Sequence, residues 1–155
     1  MMATGHRCGI ILGSDMSTII DRIAERAGSW IVLLGRLALA ALYLPSGFNK
    51  LVHLGSFADA MAARGVPAPM LLAILGAVVE FFGALAVLVG FRTRYAALLM
   101  IGFTIVASVV SHHFWDIHDA TRQMQYVQFM KNMAIIAGFL FLFVHGPGPL
   151  SLDRK

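Results

Sequence analysis

Four apolar stretches, each close to the length that crosses a membrane, leave this sequence few ways to fold. They cover about 30–50, 69–91, 95–115 and 127–144. A helix needs about 20 apolar residues to cross a hydrocarbon layer of ~30 Å, and each stretch is near that length. Leu71 to Val79 and Ala96 to Val110 lack the polar outer face that a helix in a soluble bundle requires. The sequence therefore predicts an all-α fold: an integral membrane four-helix bundle with short loops.

The composition supports lipid contact and excludes several classes of function. Charged residues make up 13% of the chain, about half of the roughly 25% found in soluble domains. The twelve Lys and Arg residues are scattered singly between apolar runs, so the net charge of +4 does not indicate nucleic-acid binding. Cys8 is the single cysteine, which excludes an intramolecular disulfide and a cycling dithiol. The bilayer itself is the first predicted partner.

The distribution of basic residues predicts the orientation of the chain. With four spans, both termini and the turn at 91–94 lie on one side of the membrane. That side carries eight basic residues, namely Arg7, Arg22, Arg26, Arg36, Arg92, Arg94, Arg154 and Lys155. The other side carries four, namely Lys50, Arg64, Arg122 and Lys131. Because cytoplasmic loops are enriched in Lys and Arg, we expect both termini in the cytoplasm. Arg36, about a turn inside its helix, is expected to snorkel back to that interface.

The spans divide the chain into three segments. These are a cytoplasmic N-terminal segment (1–29), a four-helix domain (30–145) and a cytoplasmic tail (146–155). Met16 offers a second start before a coherent amphipathic stretch, so we expect residues 1–15 to be dispensable and not necessarily native. The stretch 55–64 is weakly amphipathic and is expected to lie along the outer surface.

Seven short motifs occur in a fixed order along the chain. They are 43–50 (YLPSGFNK), 65–69 (GVPAP), 79–83 (VEFFG), 90–94 (GFRTR), 112–115 (HHFW), 130–132 (MKN) and 146–153 (GPGPLSLD). In this order and at these spacings, the chain resembles the DoxX family of small bacterial inner-membrane proteins over roughly 34–153.

The resemblance implies a four-helix bundle in the bacterial inner (plasma) membrane. Some members of that family are subunits of thiosulfate:quinone oxidoreductases, and others are tied to thiol and oxidative-stress complexes. The resemblance thus implies a membrane or peripheral redox partner. It implies no built-in cofactor, and a quinone is the candidate ligand.

Glu80 is the only charged residue in the second span. It lies about ten residues from the outer end of its helix, or ~15 Å deep at 1.5 Å per residue, where an ionisable group costs about 2.5–3.5 kcal/mol. It shares a face with Gly76 and Gly83, and small residues mark faces where membrane helices approach closely. We therefore predict that Glu80 points into the bundle, either as a proton carrier or as a structural clasp with Lys50 or Lys131.

Polar residues of the other spans lie in the same outer half of the bundle and predict a polar pocket that opens outward. The candidate ligand-binding residues are Tyr43, Ser46, Lys50, Lys131 and Asn132, and the candidate proton carriers are Glu80, His112 and His113. The inner half is predicted to be almost wholly apolar. The structural alternative is that these residues fix helix register and that the histidines are merely solvated at the interface. No metal site is predicted, because adjacent helical side chains such as His112 and His113 diverge.

Three functions fit these residues. The leading hypothesis is a subunit of an inner-membrane redox or stress-response system that binds a quinone-like carrier in the outward pocket. The second is a non-catalytic scaffold that docks a membrane partner. The third is a small-molecule transporter, which would have to oligomerise because four spans alone are few for transport.

Overall fold

The computed structural model describes residues 9–153, with side chains from Thr18 onward. Within that range the chain forms five α-helices, one short 3-10 turn and no strand. The elements are α1 (Gly9–Val52), α2 (Leu54–Ala62), α3 (Pro69–Val89), α4 (Thr93–Ser111), the 3-10 turn (Phe114–Asp116) and α5 (Arg122–His145). Four of the helices, all except α2, are long and apolar enough to cross a membrane. This confirms the predicted all-α membrane bundle.

The long helices pack in pairs around a core of small and aromatic side chains. α1 packs mainly along α3, and α4 packs along both α3 and α5, whereas α1 and α5 touch each other little. Ala84, Met100 and Phe139 are almost fully buried in this core. Large apolar side chains on the outside, such as Leu34 and Phe141, are 63% and 69% exposed. An apolar surface of that extent fits contact with lipid.

The two ends of the bundle are built differently. We call the end with α2 and the 3-10 turn the loop end, and the end with the α3–α4 turn and the segment 146–153 the terminal end. At the loop end, α2 packs on α3, with Ala58 buried and Phe57 half-buried. The amphipathic stretch predicted at 55–64 is therefore largely this helix.

The first helix is longer than the sequence predicted. α1 has 44 residues, about 66 Å at 1.5 Å per residue, whereas the predicted span begins at residue 30. The charged side chains from Asp21 to Arg26 are exposed, and the absence of proline before Pro45 lets the helix continue beyond the apolar window. Of the segment predicted to be dispensable, 1–8 lies outside the described residues. So do Arg154 and Lys155 of the orientation argument.

The helix boundaries at the loop end also differ from the prediction. α4 ends at Ser111 rather than near Trp115, because His112 leaves helical geometry with φ −129° and ψ 39°. α5 begins at Arg122 rather than near residue 127. Asp119 Oδ1 accepts hydrogen bonds from Thr121 Oγ1 at 2.6 Å and from Thr121 N at 2.7 Å, which fixes the turn before α5. These bonds lower the pKa of Asp119 below its ordinary value.

Candidate functional site

A polar cavity of about 200 Å³ lies between the long helices in the loop-end half of the bundle. Seven of the eight candidate residues line it: Tyr43, Ser46, Lys50, Glu80, His112, Lys131 and Asn132. Leu42, Phe103 and Ile135 add apolar surface to the same wall. The cavity lining thus combines residues of α1, α3, α4 and α5 with His112, the first residue after α4. Their roles in binding or proton transfer stay predictions.

An ion pair between α1 and α3 forms part of the cavity wall. Lys50 Nζ lies 2.5 Å from Glu80 Oε2 and donates a second hydrogen bond to Ser46 Oγ at 3.1 Å. Glu80 is 2% exposed, so it faces the bundle interior as the neighbouring glycines predicted. Of the two lysines considered, Lys50 is the partner, whereas Lys131 donates to Gln128 Oε1 on its own helix. A carboxylate at this depth is compatible with lipid because the ammonium group compensates its charge.

Close helix approach makes this pair feasible. Gly47 of α1 lies against the α3 backbone, where an added Cβ would stand 2.8 Å from Phe81 N. A larger residue at position 47 would separate α1 from α3. Lys50 Nζ also lies 5.3 Å from the centre of the Phe57 ring, which stands on α2. The cation–π contact places α2 beside the ammonium group.

A chain of hydrogen bonds on α4 forms another side of the cavity. Tyr43 OH and Thr104 Oγ1 are 2.7 Å apart, and Thr104 Oγ1 donates to Met100 O. Because that donation uses the hydrogen of Thr104, the Tyr43 hydroxyl is the donor of the first bond. One turn further on, Asn132 Nδ2 donates to Ser108 Oγ at 2.9 Å. These bonds tie α1 and α5 to α4 through polar atoms in the membrane interior.

His112 connects the end of α4 to the start of α5. Its Nδ1 lies 2.7 Å from Gln125 Oε1. Since an amide oxygen only accepts, Nδ1 is the donor in this bond. The half-buried imidazole also lines the cavity.

His113 is the one candidate residue that does not line the cavity. Its ring packs 6.2 Å from the ring of Trp115, in a cluster that Phe114, Tyr126 and Phe129 complete. The reason is the early end of α4, which turns the residues after His112 away from the polar face. Trp115 is part of the same aromatic cluster.

The terminal half holds a polar centre that the sequence reasoning missed. Arg36 is 1% exposed and donates to four backbone carbonyl oxygens. These are Val87 (from Nε, 2.9 Å), Leu88 (from Nη2, 2.5 Å), Pro147 (from Nη1, 3.0 Å) and Leu150 (from Nη1, 2.8 Å). Arg36 thus reaches toward the terminal end, as expected, but its guanidinium group is buried against backbone carbonyls, and the expectation that the inner half is almost wholly apolar is wrong.

A signal for this role was present in the sequence. Arg36 shares the buried face of α1 with Ala40, Tyr43, Gly47 and Lys50, all at helical spacing. At Gly90, where φ is +72°, an added Cβ would stand 2.8 Å from Arg36 Nη2. The glycine thus supplies both the left-handed conformation that ends α3 and the space for the guanidinium group.

Four lipid-compatible helices around a small polar cavity define a multi-pass membrane protein with an internal site. Residues 31–113 match the DoxX family, and the chain belongs to that family. It is 36% identical to the inner membrane protein YphA of Escherichia coli (strain K12), over 81% of this chain and 89% of that protein. It is also 36% identical to the inner membrane protein YqjF of the same strain, over 79% of this chain and 89% of that protein.

A more distant relative is the membrane protein Rv3486 of Mycobacterium tuberculosis (strain ATCC 25618 / H37Rv), 27% identical over 86% of each chain. No solved structure matches the chain. The relatives and the four apolar helices make this protein a multi-pass protein of the bacterial inner membrane.

Proposed function

We propose that the loop-end cavity binds the headgroup of a lipophilic carrier such as a quinone, and that the protein serves an inner-membrane redox or stress-response system. The observation that carries this proposal is the ion pair between Lys50 and Glu80 in the wall of an open cavity. An ion pair kept only to hold helices together has no need of an adjoining cavity with further polar groups.

The size of the cavity favours a small headgroup with an external tail. At about 200 Å³ it lies below the roughly 300–1,000 Å³ of pockets that enclose drug-sized ligands. It accommodates a single ring, while a long apolar tail would extend past Leu42 and Ile135 into lipid. That division of polar head and apolar tail is the shape of a membrane quinone.

The chemistry of the lining also fits a quinone. An ammonium group has three donors, and Lys50 uses two of them on Glu80 and Ser46, which leaves one for a quinone oxygen. Lys131 has donors for the second oxygen. Reduction to the quinol consumes two electrons and two protons. A membrane or peripheral redox partner would supply the electrons, and Glu80 and His112 would relay the protons from water at the loop end.

The binding proposal is tested by blocking the cavity. Protein is extracted in particles of native lipid, and the quinone per protein is measured by mass spectrometry. Ala107→Phe places a ring in the cavity lining, and Ala134→Phe places the same ring on an exposed face of α5. We expect quinone retention in wild type and Ala134→Phe, and loss in Ala107→Phe. Wild-type particles with no more quinone than protein-free particles would refute the proposal.

A scaffold is the second candidate, because the same hydrogen bonds join α1, α3, α4 and α5 as a clasp. A membrane partner that co-purifies in the same particles without quinone would favour it. Transport is less well supported, since Ala84, Met100 and Phe139 fill the core beneath the cavity.

We also propose that the loop end faces the periplasm and that both termini are cytoplasmic, on the basis of the eight-to-four distribution of basic residues. Alkaline phosphatase, which is active only in the periplasm, is fused after Lys155. We expect an inactive fusion. An active fusion would show that the C-terminus is periplasmic and would contradict the proposed orientation.

A further inference from the structure

A second polar cavity, of about 620 Å³, lies at the terminal end. It is enclosed by the turn between α3 and α4 and by the segment that follows α5. Arg92, Thr93 and Arg94 line one side, and His145 and Asp153 line the other. None of these residues belongs to the loop-end site.

The charges of this cavity favour an anion. The side chains of Arg92 and Arg94 are exposed, and Arg94 Nη2 donates one long hydrogen bond, of 3.4 Å, to Val144 O. Asp153 is the opposing charge, but its Oδ2 accepts the Thr93 N–H at 3.0 Å and so caps the start of α4. Two guanidinium groups therefore face one carboxylate that is already engaged by the helix.

An unsatisfied buried hydroxyl points to a ligand in the same place. Thr93 is 1% exposed, and its Oγ1 has no hydrogen-bond partner within the described part of the chain. Buried polar groups are nearly always paired, so this hydroxyl, next to a basic cavity, has a donor to offer an acceptor that binds there. A phosphate group supplies such acceptors.

An apolar groove continues from this cavity into the membrane. It holds about 230 Å³ between α1 and α5 and is lined by Val32, Gly35, Leu39, Gly138 and Phe141. Its terminal end shares His145 and Gly146 with the basic cavity. The groove exists because α1 and α5 make little contact. A basic pocket that leads into an apolar groove matches the shape of a phospholipid.

We propose that the basic cavity and the groove together bind one anionic phospholipid. Arg92, Arg94 and the Thr93 hydroxyl hold its phosphate, and one acyl chain lies along Gly35 and Gly138. Bound there, the lipid fills the seam between α1 and α5. The proposal is independent of quinone binding at the loop end.

The headgroup part is tested with intact full-length protein in detergent, by native mass spectrometry with phosphatidylglycerol and with phosphatidylcholine of the same acyl chains. Two interfacial arginines, at about 1 kcal/mol each, favour an anionic headgroup about 30-fold. We expect that preference in wild type and its loss in the double variant Arg92→Gln/Arg94→Gln. The matched control is Arg64→Gln/Arg122→Gln, which removes two exposed arginines at the loop end and should keep the preference.

The acyl-chain part is tested with Gly35→Leu, which places a side chain in the groove. The matched control is Gly102→Leu, on an exposed face of α4. An added Cβ meets no atom within 4 Å at either glycine, so both variants should fold. We expect Gly35→Leu to weaken phosphatidylglycerol binding and Gly102→Leu to leave it unchanged.

Three results would overturn the lipid assignment. Equal binding of both lipids by wild type would remove the anionic preference. Displacement of phosphatidylglycerol by equimolar glycerol phosphate would indicate a site for a free phosphate compound. A dimer that Gly35→Leu disrupts, with lipid binding unchanged, would assign the groove to a second copy of the chain.

Discussion

Two cations on the buried face of α1 are held in different ways. Arg36 and Lys50 are fourteen residues apart, about 21 Å along the helix at 1.5 Å per residue. Arg36 gives its N–H groups to four carbonyl oxygens from α3 and the C-terminal segment. Lys50 donates two of its three ammonium N–H groups, to Glu80 and Ser46, and lies beside a cavity.

A structural charge and a ligand-binding charge differ in where their hydrogen-bond donors are directed. The donors of Arg36 are directed at backbone atoms, and its removal would leave the ends of α3 and the C-terminal segment unsatisfied. Arg36 also lines the groove between α1 and α5, but the wall of that groove is almost wholly apolar, whereas the Lys50 pair keeps a donor beside a cavity with further polar groups. We therefore expect changes at Arg36 to act on stability, and changes at the loop-end pair to act on ligand binding.

The largest effect is expected from Arg36→Met. The variant removes the Arg36 donors from four carbonyl groups, of which Val87 O still accepts the Gly90 N–H, and an unsatisfied buried acceptor costs about 1–3 kcal/mol. Because water can reach some of these groups near the interface, we expect a total loss of about 3 kcal/mol or more, measured by unfolding in lipid particles. Arg64→Gln is the control, since among the described residues the side chain of this exposed arginine bonds Ala60 O in its own turn. Equal stability of Arg36→Met and wild type would contradict the structural role.

A smaller effect is expected from breaking the ion pair. Lys50→Met and Glu80→Leu should each cost about 1–2 kcal/mol, because polar contacts between membrane helices are worth about 0.6 kcal/mol on average and up to about 1.7, and each change also leaves a charge unpaired. The double variant should cost less than the sum of the two. Additive losses in this cycle would show that the two side chains do not stabilise each other.

The smallest effect is expected from Tyr43→Phe, which removes only the hydrogen bond to Thr104. The expected loss is about 1 kcal/mol, since Thr104 keeps its bond to Met100 O and the ring keeps its packing on Phe139. Thermal unfolding measures it. A loss as large as that of Arg36→Met would mean that the loop end is as structurally critical as the terminal end.

The bundle could be predicted because the length of an apolar stretch is read directly from the sequence, and a stretch of about 20 apolar residues crosses the lipid as a helix. The sequence also predicted that Glu80 faces inward, since the flanking glycines mark the helix face. Helical spacing put Arg36 on the buried face of α1, but its role was missed because its partners are backbone carbonyls near residues 87 and 150, which carry no side-chain signature. The position of His113 was misjudged for another local reason, the end of α4 at Ser111, where no glycine or proline marks the boundary.

The loop-end pair is expected to respond to a quinone, and Arg36 is not. The rise in unfolding temperature caused by a short-tailed quinone, ubiquinone-1, is measured in wild type, Lys50→Met and Arg36→Lys. At a ligand concentration 100 times the Kd, binding stabilises the folded state by about 2.7 kcal/mol. We expect Lys50→Met, which removes the ammonium donor for the quinone oxygen, to lose the rise. Arg36→Lys should unfold at a lower temperature and keep it. An undiminished rise in Lys50→Met, or none in wild type, would show that the loop-end pair does not bind the quinone.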